Sequence, residues 1–238
     1  MTWNVDILTL YPDMFPGHLD KSLSGKALRQ GIWNLRVHDI RNYGIGAHKT
    51  VDGKPAGGGP GMVLRADVLD KTIKGCIKNN NRIIYFSPKG KQLTQEKVKE
   101  FSLSNGVSIL CGHFEGIDQR VIEKYDMEEI SIGDYILSGG EIAAMAFLDS
   151  VIRLLPNVIG NNESTIVESF SDDLLEYPQY TKPNDFDNKE IPSILLSGDH
   201  KAIEEWRTNQ SLSLTKKRRP DLISKKKIKY SKNKVTYG

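Results

Sequence analysis

Three short stretches of this 238-residue chain combine glycines, small polar residues and apolar side chains in a way that suits ligand binding: Ser87-Pro88, Gly112-His-Phe-Glu-Gly-Ile-Asp118 and Gly133-Asp-Tyr-Ile-Leu-Ser-Gly-Gly140. Each follows a run of β-type residues. Glycine lets a ligand approach the main chain with no Cβ in the way. In an open α/β sheet, ligands settle outside the carboxyl ends of the strands. Three such loops together make a pocket of main-chain donors and acceptors, which is a better hypothesis than any one of them alone. Other chemistries fail on residue type or spacing. Gly57-Gly-Gly-Pro-Gly61 lacks the Gly-Lys-Ser/Thr ending of a P-loop, and no Gly-x-Gly-x-x-Gly follows a strand. Ser138 is not framed as Gly-x-Ser-x-Gly. His18, His38, His48, His113 and His200 have no metal-binding spacing and read as structural or surface residues. The adjacent acids Glu128-Glu129 and Asp172-Asp173 read as solvated.

The elements that must carry these loops follow from periodicity. Strands are expected at residues 3–10, 35–40, 82–86, 107–111 and 128–132, with Ser87-Pro88-Lys89-Gly90 breaking the third. Helices are expected at 18–31, 65–78, 93–103, 118–124 and 141–155. In the last, Ile142, Met145, Ala146, Leu148, Ile152 and Leu155 form the apolar face, Glu141 and Arg153 suit the two ends of the dipole, and Pro156 closes the helix. Strand and helix alternate, so an α/β domain with a mainly parallel sheet is predicted. Residues 41–62 form a glycine-rich loop with Arg41, His48, Lys49 and Lys54, open to two readings, nucleic-acid contact or a flexible lid. Beyond Pro156 a polar, Asn/Gly-rich linker leads to a small region with helical runs at 199–209, 211–217 and from 220 onward. The expected division is a domain at 1–160, a linker at 161–170 and a helical domain at 171–238.

The 33 basic and 30 acidic residues are unevenly spread. Residues 216–238 hold ten Lys or Arg against Asp221 alone, and the rest of the chain, with 23 basic and 29 acidic residues, is net acidic. A basic end on an acidic body suits a polyanion held there, or is a solvated tail. No apolar run approaches the roughly 20 residues that span a bilayer, and the sequence opens directly on strand-like residues, so a cytoplasmic protein with no membrane partner is expected. Cys76 and Cys111 are too few and too far apart for a disulfide framework or metal ribbon, and Cys111 reads as a buried thiol.

Four long motifs occur in order: Pro55-Ala-Gly-Gly-Gly-Pro-Gly-Met62, Leu110-Cys-Gly-His-Phe-Glu-Gly-Ile-Asp118, Ser131-Ile-Gly-Asp-Tyr-Ile-Leu-Ser-Gly-Gly-Glu141 and Glu168-Ser-Phe-Ser-Asp-Asp-Leu-Leu-Glu-Tyr-Pro-Gln-Tyr180. With Leu195-Leu-Ser-Gly-Asp-His200 and Trp206-Arg207, they resemble the bacterial tRNA (guanine-N1)-methyltransferases from Leu8 to about Pro220. The resemblance implies a SPOUT-type parallel sheet with a C-terminal trefoil knot, plus a small helical C-terminal domain. It implies methyl transfer from S-adenosylmethionine to N1 of the guanosine at tRNA position 37, next to the anticodon, by a homodimer that binds the anticodon stem-loop region of tRNA, with Mg2+ as a candidate second cofactor. Carried over by motif, the cofactor-binding residues are Ser87, Pro88, Gly112, Glu115, Ile132, Gly133, Asp134, Tyr135, Ile136, Leu137, Gly139 and Gly140. The implied catalytic residues are Arg153 as the cation and Glu168 as the base. Glu168 departs from the aspartate of the family, and a water or Asp172 is the alternative proton acceptor. Two other readings are another SPOUT-type RNA methyltransferase and an RNA-binding module without chemistry.

Overall fold

The computed structural model describes residues 2–78, 81–159, 169–170 and 173–224. The chain divides into two compact units, Met1–Gly160 and Asn161–Gly238. In chain order the strands of the first unit are β1 (Trp3–Thr9), β2 (Trp33–Asp39), β3 (Asp52–Gly53), β4 (Val63–Leu64), β5 (Ile83–Gln92), β6 (Gly106–Leu110) and β7 (Glu128–Ser131). Its α-helices are α1 (Ser22–Arg29), α2 (Ala66–Cys76), α3 (Gln95–Ser102), α4 (Gln119–Lys124) and α5 (Glu141–Ile152). Five strands make one parallel sheet in the order β2-β1-β6-β5-β7, as the alternation of strand and helix requires.

Side chains alternate across a strand, and the core divides accordingly. Val5, Ile7, Ile84, Phe86, Val107 and Ile109 pack on one face with α3 and α5 residues, among them Phe101, Phe147 and Val151. Leu8, Leu10, Ile83, Tyr85 and Leu110 pack on the other with Val68, Leu69 and Ile73 of α2 and Val121 of α4. Phe147 sits between Phe86 and Phe101, with ring centroids 5.7 and 5.1 Å away.

Four expectations need correction. The helix expected at 18–31 is broken at Lys21, which is extended, and Ser22 takes φ +50°, so a short 3-10 turn (Gly17–Asp20) precedes α1. The third sheet strand does not stop at Ser87. Phe86 and Lys91 both lie opposite Ile130, so residues 87–90 form an excursion after which β5 resumes, and Pro88 stands where no ladder N–H is needed. On α5, Ile142 and Ala146 are exposed, and the buried set is Ala143, Ala144, Met145, Phe147, Leu148, Val151 and Ile152. The loop at 41–62 is in part a ribbon, because β3 pairs antiparallel with β4 around residues 54–62.

In the second unit, the runs expected at 199–209 and 211–217 are one helix, α6 (His200–Arg218). Asp199 caps it by accepting the Ala202 N–H at 3.1 Å. Its polar middle does not break it because Ser211 and Thr215 face inward, where the Thr215 hydroxyl donates to the Ser211 carbonyl at 2.7 Å and accepts the Leu175 N–H at 2.9 Å. A hairpin of β8 (Asp185–Phe186) and β9 (Lys189–Glu190) turns through Asp187 and Asn188, both at positive φ. That Asp-Asn pair is the kind of signal a tight hairpin leaves in a sequence.

Candidate active site

The strands β6, β5 and β7 are neighbours, and a cavity of about 400 Å³ opens at their C-terminal ends. Ser87 and Pro88 reach it from the β5 excursion. Gly112 and Glu115 come from the loop after β6. Ile132, Gly133, Tyr135, Ile136, Leu137, Gly139 and Gly140 come from the loop between β7 and α5. Of the residues expected to hold the cofactor, Asp134 alone is not in the lining; it is exposed. The walls are main chain and apolar side chains, which suits a ligand with flat apolar faces and a polar edge.

Two of the glycines owe their identity to the protein's own atoms. A Cβ on Gly139 would overlap the His113 ring and the Glu141 carboxylate. A Cβ on Gly140 would stand 2.9 Å from the Cys111 Cα and 3.1 Å from the Gly112 nitrogen. The closeness is used: Gly140 N–H donates to the Gly112 carbonyl at 3.0 Å, and His113 forms an isolated bridge with Gly139. The loop after β6 and the loop before α5 are thereby stitched into one wall.

Behind that wall lies a polar cluster that sequence reasoning does not assemble. Glu141 is only 2% exposed. It accepts the Thr9 hydroxyl at 2.6 Å and His113 Nε2–H at 2.8 and 2.9 Å, while Thr9 Oγ1 accepts the Tyr11 N–H at 2.9 Å. Three chain segments contribute one residue each, so no local spacing marks the set. Its one trace in the sequence is an acid in the first turn of α5, which the helix dipole already explains. Burial pushes the neighbouring Cys111 thiol up, with a further push from the Glu141 charge, so Cys111 is an inert core residue. Tyr85, also in the lining, has its phenol raised by burial and then by the Glu129 carboxylate. Phe114 lines the cavity too, with φ +60°, a conformation bulky residues rarely take, and its ring half exposed.

Arg153 is not in the lining. It follows the last turn of α5, whose first turn is at the cavity, and twelve residues at 1.5 Å each put it about 18 Å along the axis from Glu141. Glu168 and Asp172 lie outside the described residues. Among the described residues, no group of three or more His, Cys, Asp or Glu could hold a metal ion, and no helix is long and apolar enough to cross a membrane.

A family model described as tRNA (Guanine-1)-methyltransferase TrmD matches residues 3–225. A protein of Gluconobacter oxydans (strain 621H) named tRNA (guanine-N(1)-)-methyltransferase is 52% identical over 223 residues, covering 93% of this chain and 95% of its own. Proteins of the same name from Pelagibacter ubique (strain HTCC1062) and Rhodopseudomonas palustris (strain BisB18) are 53% identical over 231 residues and 55% identical over 223. They cover 97% and 93% of this chain, and 100% and 89% of their own lengths.

Proposed function

The chain belongs to the tRNA (guanine-N1)-methyltransferase family, and on that premise we propose that it methylates N1 of the guanosine at tRNA position 37 with S-adenosylmethionine as donor. The observation that carries the reading is the family match over residues 3–225, nearly the whole chain. The cavity at three parallel strand ends supports it, because its lining contains nearly all the residues carried over from the motifs.

The donor, when bound, supplies a methyl group already activated on a sulfonium. The protein's remaining task is the nucleophile. N1 of neutral guanine carries a proton and has no lone pair in the ring plane. Attack needs that proton removed, and negative charge then grows toward O6. Glu168 takes the proton as general base, and Arg153 meets the charge near O6. Main-chain groups of the loops at 87–88, 112–115 and 132–140 hold the cofactor, with Ile132 and Leu137 as apolar walls.

A homodimer is part of the proposal. At about 15 Å along α5 from Ala143 of its own chain's cavity lining, Arg153 is better placed to serve the cavity of a second copy. The exposed side of α5, with Ile142 half exposed and Ala146 one turn on, is a surface such a copy can cover. A SPOUT-type trefoil knot is the topology that goes with this reading. Its support is the family match over residues 3–225. The second unit and basic tail hold the anticodon stem-loop region of tRNA, and the enzyme acts in the cytoplasm.

Transfer of labelled methyl from S-adenosylmethionine to matched tRNAs with guanosine or adenosine at position 37 tests the proposal. Label should appear at N1 of guanosine 37 and vanish with adenosine. Label that persists without guanosine 37 would point to a different RNA methyltransferase. RNA binding without label would point to a module that does no chemistry.

A further inference from the structure

We infer that His113 and Glu141, anchored by Thr9, form a positioning latch that sets the width of the cofactor cavity. The inference rests on the proposed reading of that cavity as the S-adenosylmethionine site. Glu141 and His113 come from opposite sides of one wall: His113 from the loop after β6, Glu141 from the first turn of α5. The cavity is lined by residues of both segments, His113 among them. The spacing between these segments is fixed by Gly140 N–H on the Gly112 carbonyl, by the His113–Gly139 bridge and by the hydrogen bonds of His113 Nε2 to both Glu141 oxygens.

A buried carboxylate accepts but cannot donate when ionised, and here each partner has a defined job. Thr9, at the end of the interior strand β1, ties the latch to the rigid sheet through its 2.6 Å hydroxyl bond. His113 Nε2–H ties it to the loop after β6, whose next residue, Phe114, is held at φ +60°. Gly139 leaves the room the pair needs, since any Cβ there would overlap both partners. The Tyr11 ring packs edge-on against His113, centroids 4.9 Å apart, and closes the outer side. Neither residue needs to touch the reacting atoms. The latch acts on cofactor affinity through loops 112–116 and 137–140, not on the proton transfer at guanine.

The test compares His113→Asn, too short to reach Glu141, with His113→Gln, whose amide nitrogen reaches about as far as Nε2 and restores the donor. Calorimetry with S-adenosylmethionine and steady-state kinetics are read on folded protein, checked by thermal unfolding. His113→Asn should weaken cofactor binding about tenfold or more, in line with a buried acceptor left without its partner. The cofactor KM should rise in parallel, while kcat at saturating cofactor and the KM for tRNA stay within about threefold. His113→Gln should recover most of the affinity. A residue that merely supports the fold would lower unfolding temperature without this split. Unchanged affinity in folded His113→Asn, or His113→Gln as weak as His113→Asn, would overturn the latch alone. Absence of S-adenosylmethionine binding in the unaltered protein would overturn the reading of the cavity as well. Should His113→Asn not fold, Glu141→Gln tests the latch from the other side. It keeps an acceptor for His113 and a partner for Thr9, so affinity should hold within about threefold. A loss of tenfold would overturn the latch, because charge rather than bonded geometry would then be what the cavity needs.

Discussion

Glu168 is the residue at which the proposed chemistry is most exposed to test. A general base contributes roughly 10²- to 10⁴-fold, so Glu168→Gln should lower single-turnover rate by that much while S-adenosylmethionine and tRNA affinities stay nearly constant. Glu168→Asp reports on geometry: slower turnover than the parent means the chain has adjusted to the longer arm, and equal or faster turnover means it has not. A Gln variant as active as the parent would shift the base to Asp172 or a water. At Gly140 the expected outcome is loss of cofactor binding, because even Gly140→Ala brings a Cβ to 2.9 Å from the Cys111 Cα, a main-chain atom that cannot swing aside. Calorimetry on the folded variant, showing full affinity, would contradict it. Eleven of the residues that line the cavity were legible at this scale from the motifs, whereas Tyr85, Lys89 and Gln119 were not. Why Gly139 and Gly140 are glycines was not legible either. The atoms they make way for belong to residues 111–113 as well as to Glu141, and the close approach exists only once β6 and α5 are packed.

At the scale of elements, periodicity located the sheet strands and most helices of the first unit, since one face of each is buried and its spacing shows. It misread whatever tertiary packing decides. Residues 87–92 look like a strand end because Pro88 and Gly90 are breakers. The ladder resumes because Lys91 and Gln92 meet Ile130 and Ser131, partners that lie across the sheet. The brace between α2 and α4 was likewise invisible. Asp70 accepts from Lys124 Nζ at 2.6 Å, Lys74 Nζ at 2.8 Å and the Tyr125 hydroxyl at 2.6 Å, and these bonds hold its carboxyl well below the usual range. Tyr125 is pushed up to about 12 by burial and then by Asp70. A raised pKa means the protonated phenol is favoured in the fold, so its stabilisation is complete below the unfolded value of about 10 and is lost as pH climbs toward 12. Urea unfolding should show the native protein ahead of Tyr125→Phe by about 1 kcal/mol below pH ~10. That lead should shrink steadily between there and pH 12. A lead that does not change over this interval would break the link between the phenol and the brace.

For the molecule as a whole, strand–helix alternation made a parallel sheet legible, but the order β2-β1-β6-β5-β7 was not, because alternation says nothing about which strands are neighbours. The proposed sharing of sites between copies leads to a prediction at this scale. Arg153→Ala and Gly140→Val should each be nearly inactive alone. Dissociated and re-mixed in equal amounts, they should recover about a quarter of parental activity. Half of the dimers are then mixed, and each mixed dimer has one cavity with intact loops and a partner's arginine. No recovery, or a strictly monomeric active protein by sedimentation, would defeat the model. The basic end gives a second. Lys216, Lys217 and Arg218 close α6, whereas Arg219 is paired with Asp221 at 2.7 Å. Ending the chain after Ser224 removes Lys225, Lys226 and Lys227 with three further lysines. The log–log salt slope of tRNA binding should flatten by about 0.7–0.9 for each phosphate that the removed lysines neutralise, with S-adenosylmethionine affinity unchanged. An identical slope would show that those lysines neutralise none.

The position of β1 also governs the order in which the newborn chain can fold. β1 is flanked by β2 and by β6, with Asn4 opposite Gly106 and Leu8 opposite Leu110. Its first neighbour leaves the ribosome soon after it, but the second is about a hundred residues later, roughly 5 to 20 seconds at ordinary synthesis rates. Throughout that interval one edge of an apolar strand containing Val5, Ile7 and Leu8 has no ladder partner of its own. An open apolar edge invites pairing with other chains, so the nascent first unit is most open to wrong pairing before β6 arrives.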